Sequence, residues 1–368
     1  MRHRLVFKNK KRTMIRLAIL LLIPILIAVI VLIATKFAKR SAVLTELTEL
    51  PLFDTANFAY SGSGVLYVSA DKLCYTDFSD KSKDYSLAVG DTNISLAASR
   101  GMSLLYNDSA VQIIGSQKPV EIPGSLISVK CASSYAAALW QDADKNVALQ
   151  IFNSDAQVDQ IEFKDSFLVD FGFTSVNENV LWALTLDVGS AIPVSTLTTY
   201  DMDKNTTTGV MTIQGQLVEH ILFSGNSIFT VSTNNLTRYN AVGNTQAYRL
   251  LVYGWNMLDY SASATSPVFL FAPRDGKPLS TVKLYTVAEG ETADEQVVAL
   301  QLPMGVLKVF LSNGKLIACS PDTVYIYSST GVLTSSVPLG IVADDFIKLS
   351  DSHVIVKNAS GMYLMTLR

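Results

Sequence analysis

Histidine and cysteine are scarce, with three of each in 368 residues. Cys74, Cys131 and Cys319 stand far apart without a C-x-x-C spacing, and an odd number cannot complete a disulfide framework. They read as small buried apolar side chains, and a large domain without cysteine staples fits a bacterial envelope better than a eukaryotic secretory route. His220 and His353, the histidines beyond the N-terminal segment, lack an H-x-x-x-H or carboxylate-flanked spacing, so no zinc or iron ligand set is visible. A G-x-S-x-G elbow and a phosphate-cradling glycine loop are also missing. No catalytic, cofactor-binding or metal-ligating residue is assigned, and a non-enzymatic role is expected.

Charge is sparse too, at 17% of residues, and it is divided unevenly. Residues 1–40 hold ten Lys/Arg and no acid, leaving 19 basic against 32 acidic residues, net −13, in the remainder. A surface of that sign repels phosphate backbones and excludes nucleic acid as a partner of the large part.

What the sequence does contain begins with LAILLLIPILIAVIVLIAT between Arg16 and Lys36, long enough as a helix to cross most of a hydrocarbon core about 30 Å thick. A transmembrane helix is therefore expected over 17–35, with the bilayer as its first partner, and Pro24 is tolerable within it. Seven basic residues precede the run and three follow, which keeps 1–16 cytoplasmic and sends the carboxyl side outward. A cleaved signal peptide is the rival, but the run is long for one, and Lys36 and Arg40 occupy positions where cleavage wants small residues. Residues 36–42 are a juxtamembrane linker, and the remainder, 43–368, is one domain outside the cell membrane.

From Asn57 onward no helical periodicity extends over a dozen residues; short β-branched and aromatic runs alternate with Gly, Asn, Asp and Ser turns instead. The clearest unit, 307–337, reads as four strands joined by SNGK, SPDT and SSTG turns. Residues 219–250 repeat its rhythm, 346–368 repeat its first three strands, and weaker copies begin near Phe58, Ile94, Ile127, Val169 and Leu258. Second strands centred on Val65, Leu104, Ala137, Val180, Ile228, Val268, Leu316 and Val354 recur about every forty residues, the period of four-stranded propeller blades. The expected fold is all-β, a β-propeller of eight blades with seven as the alternative. Because the last copy stops after its third strand, VLTELTEL at 43–50 is expected to supply the missing outer strand and close the ring.

A basic tail, one apolar span and degenerate blade repeats resemble the single-span, propeller-like envelope proteins of bacteria, over the whole chain. The resemblance is architectural: the Tyr-Trp-Thr-Asp, Gly-His…Trp-Asp and Ala-x-Asp…Gly…Trp blade signatures are absent, so no site residues carry over. It implies a binding or scaffold module for an envelope protein or glycan. The alternatives are a ligand sensor coupled to assembly of the membrane helix, and an enzyme acting on envelope glycan or peptide through carboxylates. Asp142-Ala-Asp144-Lys-Asn146 and Asp201-Met-Asp203-Lys-Asn205 alternate oxygen donors as calcium loops do, yet each contains a lysine and lacks a bidentate Glu, so they read as hairpin turns. Five Asn-x-Ser/Thr triplets, at Asn93, Asn107, Asn205, Asn235 and Asn358, fall in similar turns. Trp140 and Trp182 read as core, whereas Tyr253 and Trp255, flanking Gly254, are candidates for an exposed contact.

Overall fold

The computed structural model describes residues 44–367 apart from 53–56, 90–93, 117, 165, 176, 190, 241–244, 263–265, 277 and 288–295. The apolar segment 17–35 lies outside the described residues. Among the described residues no helix is long and apolar enough to cross a membrane. The helical content they show is a single 3₁₀ turn at Lys81–Lys83.

Eight four-stranded antiparallel sheets follow one another along the chain. They are blades 1 (58–88), 2 (95–121), 3 (125–163), 4 (167–214), 5 (218–251), 6 (255–301), 7 (308–338) and 8 (345–367, completed by 44–50). Each of the eight second-strand centres expected from the repeat falls within the second strand of its blade. First strands of neighbouring blades touch one another, which places them at the centre of the ring and the fourth strands at its rim.

Local chemistry explains the hairpins. At Ser312–Lys315 both Asn313 (φ 47°) and Gly314 (φ 74°) are left-handed, the requirement of a tight I′ turn whose twist matches its strands. Elsewhere Asn side chains close the turn. Asn107 Oδ1 accepts from the N–H groups of Ser109 and Ala110 at 3.0 and 2.9 Å, and Asn358 Oδ1 from those of Ser360 and Gly361 at 2.9 and 3.0 Å. Two of the Asn-x-Ser triplets are thus Asx turns.

Each blade buries its faces against both neighbours, and eight apolar clusters lie one in each junction around the ring. Trp140 is buried between blades 2 and 3, and Trp182 between 4 and 5. Closure follows the expected route. Leu44–Leu50 pairs antiparallel with Gly361–Leu367, Leu44 opposite Leu367 and Leu50 opposite Met362, with a bulge between Thr45 and Thr48. Leu50 and Leu52 then pack with Val65 and Tyr67 of blade 1 and with Ile355 and Leu364 of blade 8.

His353 sits on this seam. Its ring lies 5.0 Å from that of Phe78 and 6.3 Å from that of Tyr60, and its Nδ1 is 3.3 Å from Ser350 Oγ. Burial pushes the imidazole pKa below its ordinary value of 6.5. The folded state therefore disfavours the proton, and the associated stability is full above pH 6.5 and is lost as pH falls below it. The drop in melting temperature between pH 7.5 and 5.5 is expected to be smaller in His353→Phe than in the parent; equal drops would show that this imidazole does not govern the seam.

Candidate functional site

Two regions of the ring present functional surface, the central channel and the face where the chain crosses between blades. Up-and-down strand order fixes which loops share a face. Hairpins joining second to third strands lie with the inter-blade crossovers on one face, the crossover face. First-to-second and third-to-fourth hairpins lie on the other.

Toward that other face the channel opens into a cavity of about 550 Å³ lined by inner strands of blades 2 to 6, among them Lys130, Cys131, Phe171, Phe223 and Tyr260. Lys130 Nζ lies 2.6 Å from Asp170 Oδ1, donates to the Phe171 carbonyl at 2.6 Å, and stands 4.8 Å above the Phe171 ring. Its charge is satisfied by a neighbouring blade. Burial pushes the Cys131 thiol up to about 12, so little reactive thiolate is present at neutral pH. Burial also raises the thiol pKa of Cys319.

Further round the ring Asp259 of blade 6 gathers three blades. Its Oδ2 accepts from the Leu311 N–H of blade 7 at 2.8 Å and from Lys348 Nζ of blade 8 at 2.7 Å, while Asp351 lies 3.3 Å from the same ammonium. Sequence reading missed this group, although a signal exists. Asp170-Phe171, Asp259-Tyr260 and Asp345-Phe346 recur on the inner strands of blades 4, 6 and 8, each Asp Oδ1 accepting from the next residue's N–H at 2.8, 2.8 and 2.7 Å.

The acidic turns are hairpin closures. Asp142 accepts from the Asn146 N–H and from Asn146 Nδ2 at 2.8 and 2.9 Å, and Asp201 binds Lys204 Nζ at 2.6 Å. Lys145 and Asn205 hold the left-handed positions of the two turns, at φ 67° and 50°. The two turns are not brought together, since the first lies on the crossover face and the second on the opposite one. Nor do His220 and His353 meet: the first is exposed on blade 5, the second packs at the seam of blades 8 and 1. Among the described residues no three His, Cys, Asp or Glu side chains are grouped to hold a metal ion.

The crossover face carries the main departure from an ordinary polar surface. Four inner strands begin there with a bulge, between Leu126 and Ser128, Leu168 and Asp170, Val218 and His220, and Met257 and Asp259. The extra residues in three of them are Ile127, Val169 and Leu258, all exposed. The crossovers add Leu217, Tyr253, Met304 and Val342, with Tyr253 79% and Met304 99% exposed. Gly254 (φ 79°) turns the chain so that Tyr253 projects, while Trp255 is half-buried beneath the Lys283 ammonium, 4.2 Å from its ring centre. Only Tyr253 of the expected pair is therefore an open contact. On the opposite face, exposed large apolar side chains of the described loops reduce to Val332, with Tyr85 and Leu333 at the starts of adjoining strands. Outside the apolar ring, the described residues of the second-to-third hairpins include Asp71, Asp108, Asp142, Asp144, Asp275 and Asp322 against Lys72, Lys145 and Arg274, with Lys277 outside the described residues. Arg274 is itself tied to Glu219 at 3.4 Å.

These features define a closed, eight-bladed propeller with an apolar, acid-rimmed face. No family model matches the chain and no curated protein sequence matches it. Solved structures do. One is BamB from Moraxella catarrhalis, 10% identical with a TM-score of 0.53, the match covering 88% of this chain and all of that one. Another is the computationally designed Ika8 protein, 12% identical with a TM-score of 0.51, covering 88% of this chain and 99% of that one. Likeness at this identity concerns the fold alone.

Proposed function

We propose that the chain is a single-span protein of a bacterial cell membrane, anchored through 17–35 with its N-terminus cytoplasmic, whose outer propeller is a binding or scaffold module for an envelope protein. The observation that carries this reading is the concentration of exposed apolar side chains on one face of a closed ring. Soluble monomers rarely expose contiguous apolar surface beyond a few hundred Å², and larger patches mark interaction sites. The channel carboxylates Asp170 and Asp259 are engaged by lysines of other blades, which supports binding over acid–base chemistry.

Topology and function are tested together in intact cells. A reporter fused after Arg368 is expected to be active only in a form that requires export. A lysine-reactive crosslinker added outside is expected to join the full chain to one second polypeptide at a fixed ratio. Cytoplasmic activity of the reporter would overturn the orientation, and adducts of the chain with itself alone would overturn the scaffold role.

A further inference from the structure

The outer strand of blade 8 has a direction, and that direction assigns a role to each face. Leu44 lies opposite Leu367, at the end of the third strand of its blade, and Leu50 lies opposite Met362 at that strand's beginning. The third strand starts from the hairpin after Asn358, on the crossover face. The chain from 17–35 therefore enters the propeller on the face opposite the crossovers. Eight residues separate residue 35 from Leu44, a reach of at most about 32 Å even when fully extended. With the span in the bilayer, that face stands next to the membrane. The apolar crossover face is farther from it by the length of a seven-residue strand, roughly 23 Å.

We infer that the crossover face docks a protein, not lipid, and that the docking element is an apolar segment flanked by lysine or arginine. This rests on the anchored-scaffold reading above. Polarity of the entering strand takes the apolar ring away from the bilayer, which removes the membrane as its occupant. The acidic hairpins outside the ring select the sign of the partner: basic flanks meet Asp71, Asp108, Asp144 and Asp322 while apolar side chains meet Tyr253 and Met304. A second copy of this chain would bring the same acidic rim against itself, so self-association through this face is opposed by like charge. The bulges at Ile127, Val169 and Leu258 extend the exposed apolar side chains onto the starts of the inner strands.

The test uses the full chain in its own membrane with a photo-crosslinking amino acid at one position at a time. Tyr253 and Val342 report on the crossover face, and Asp155 on the opposite one. Irradiation is expected to give one protein adduct from Tyr253 and from Val342 and none from Asp155, the crosslinked partner peptide being apolar with Lys or Arg on its flanks. Adding Met304→Asp is expected to cut the adduct about ten-fold or more, because an unpaired charge is then buried in the contact. Val158→Asp on the outer strand of blade 3 controls for the added charge and is expected to leave the yield unchanged. Lipid adducts or adducts to a second copy at Tyr253 and Val342 would overturn the inference, as would a partner peptide with acidic flanks. A protein adduct from Asp155 alone would preserve the scaffold role and sink the face assignment. No protein adduct from any position would remove both.

Discussion

A chain that begins at residue 57 is expected to be less stable than one that begins at 41 by about 5 kcal/mol, in thermal or urea unfolding. Truncating a fully buried leucine to alanine ordinarily costs about 2–5 kcal/mol, and two such side chains are lost here. Leu50 is 4% exposed, Leu52 is completely buried, and both fill the junction of blades 8 and 1. Leu47 is lost as well, from against the cluster that holds Phe346 and Met365. Without residues 44–50 the strand Gly361–Leu367 becomes the rim of blade 8, with an unpaired row of backbone donors and acceptors. A ring opened at that strand offers an edge for pairing with another chain, so the shorter protein should also sediment as oligomers at concentrations where the longer one is monomeric. Equal melting temperatures and equal sedimentation would mean that the outer strand contributes nothing to closure, despite its ladder.

The same strand shows why so much of the architecture was legible from sequence. Propeller blades are built from local hairpins, and a strand with one face toward each neighbour leaves alternating apolar runs between turn residues. The eight second strands were readable because both of their faces are buried: Leu104, Ala137, Leu316 and Val354 are inaccessible to solvent. First strands were harder. Their sequence-based starts, at Ile127, Val169, Glu219 and Leu258, are each the bulge residue of an inner strand that begins one to three residues earlier. An extra residue breaks the period of two, so alternation resumes only beyond the bulge, and in sequence the bulge reads as the beginning.

The functional surface was less legible for a related reason. Apolar letters at Ile127, Leu217 and Met304 look the same in sequence whether they are buried or displayed; closing the ring is what leaves them on one face. Tyr253 was recognisable because glycine follows it at an inter-blade turn, where a projecting side chain costs no core. The links across the channel were invisible for another reason, since Lys130 and Asp170 are forty residues apart and Asp259 and Lys348 are eighty-nine apart. Only a folded ring brings them together.

That second pair supports the other large expected effect. Asp259→Ala is expected to destabilise the domain spanning residues 41–368 by about 3 kcal/mol, because it strands the Leu311 N–H and leaves the Lys348 ammonium with the more distant Asp351 alone. The side chains of Lys348 and Asp259 are 22% and 18% exposed, so some of the 3–5 kcal/mol typical of a fully buried pair is lost to solvent screening. Three groups depend on this carboxylate: the Leu311 N–H, the Lys348 ammonium and the Tyr260 N–H, contributed by blades 7, 8 and 6. Lys348→Met removes only the ammonium, leaves the Leu311 N–H paired, and keeps an apolar stem, so it should cost less, about 1 kcal/mol. In the double variant no ammonium remains to lose its shorter partner, and the combined loss should fall short of the sum of the single losses by about 1 kcal/mol or more. Urea midpoints of the four proteins at neutral pH measure this. A loss for Asp259→Ala below about 0.5 kcal/mol, or strict additivity in the cycle, would show that the three inner strands are held by their apolar junctions alone and that the contact across them contributes no stability.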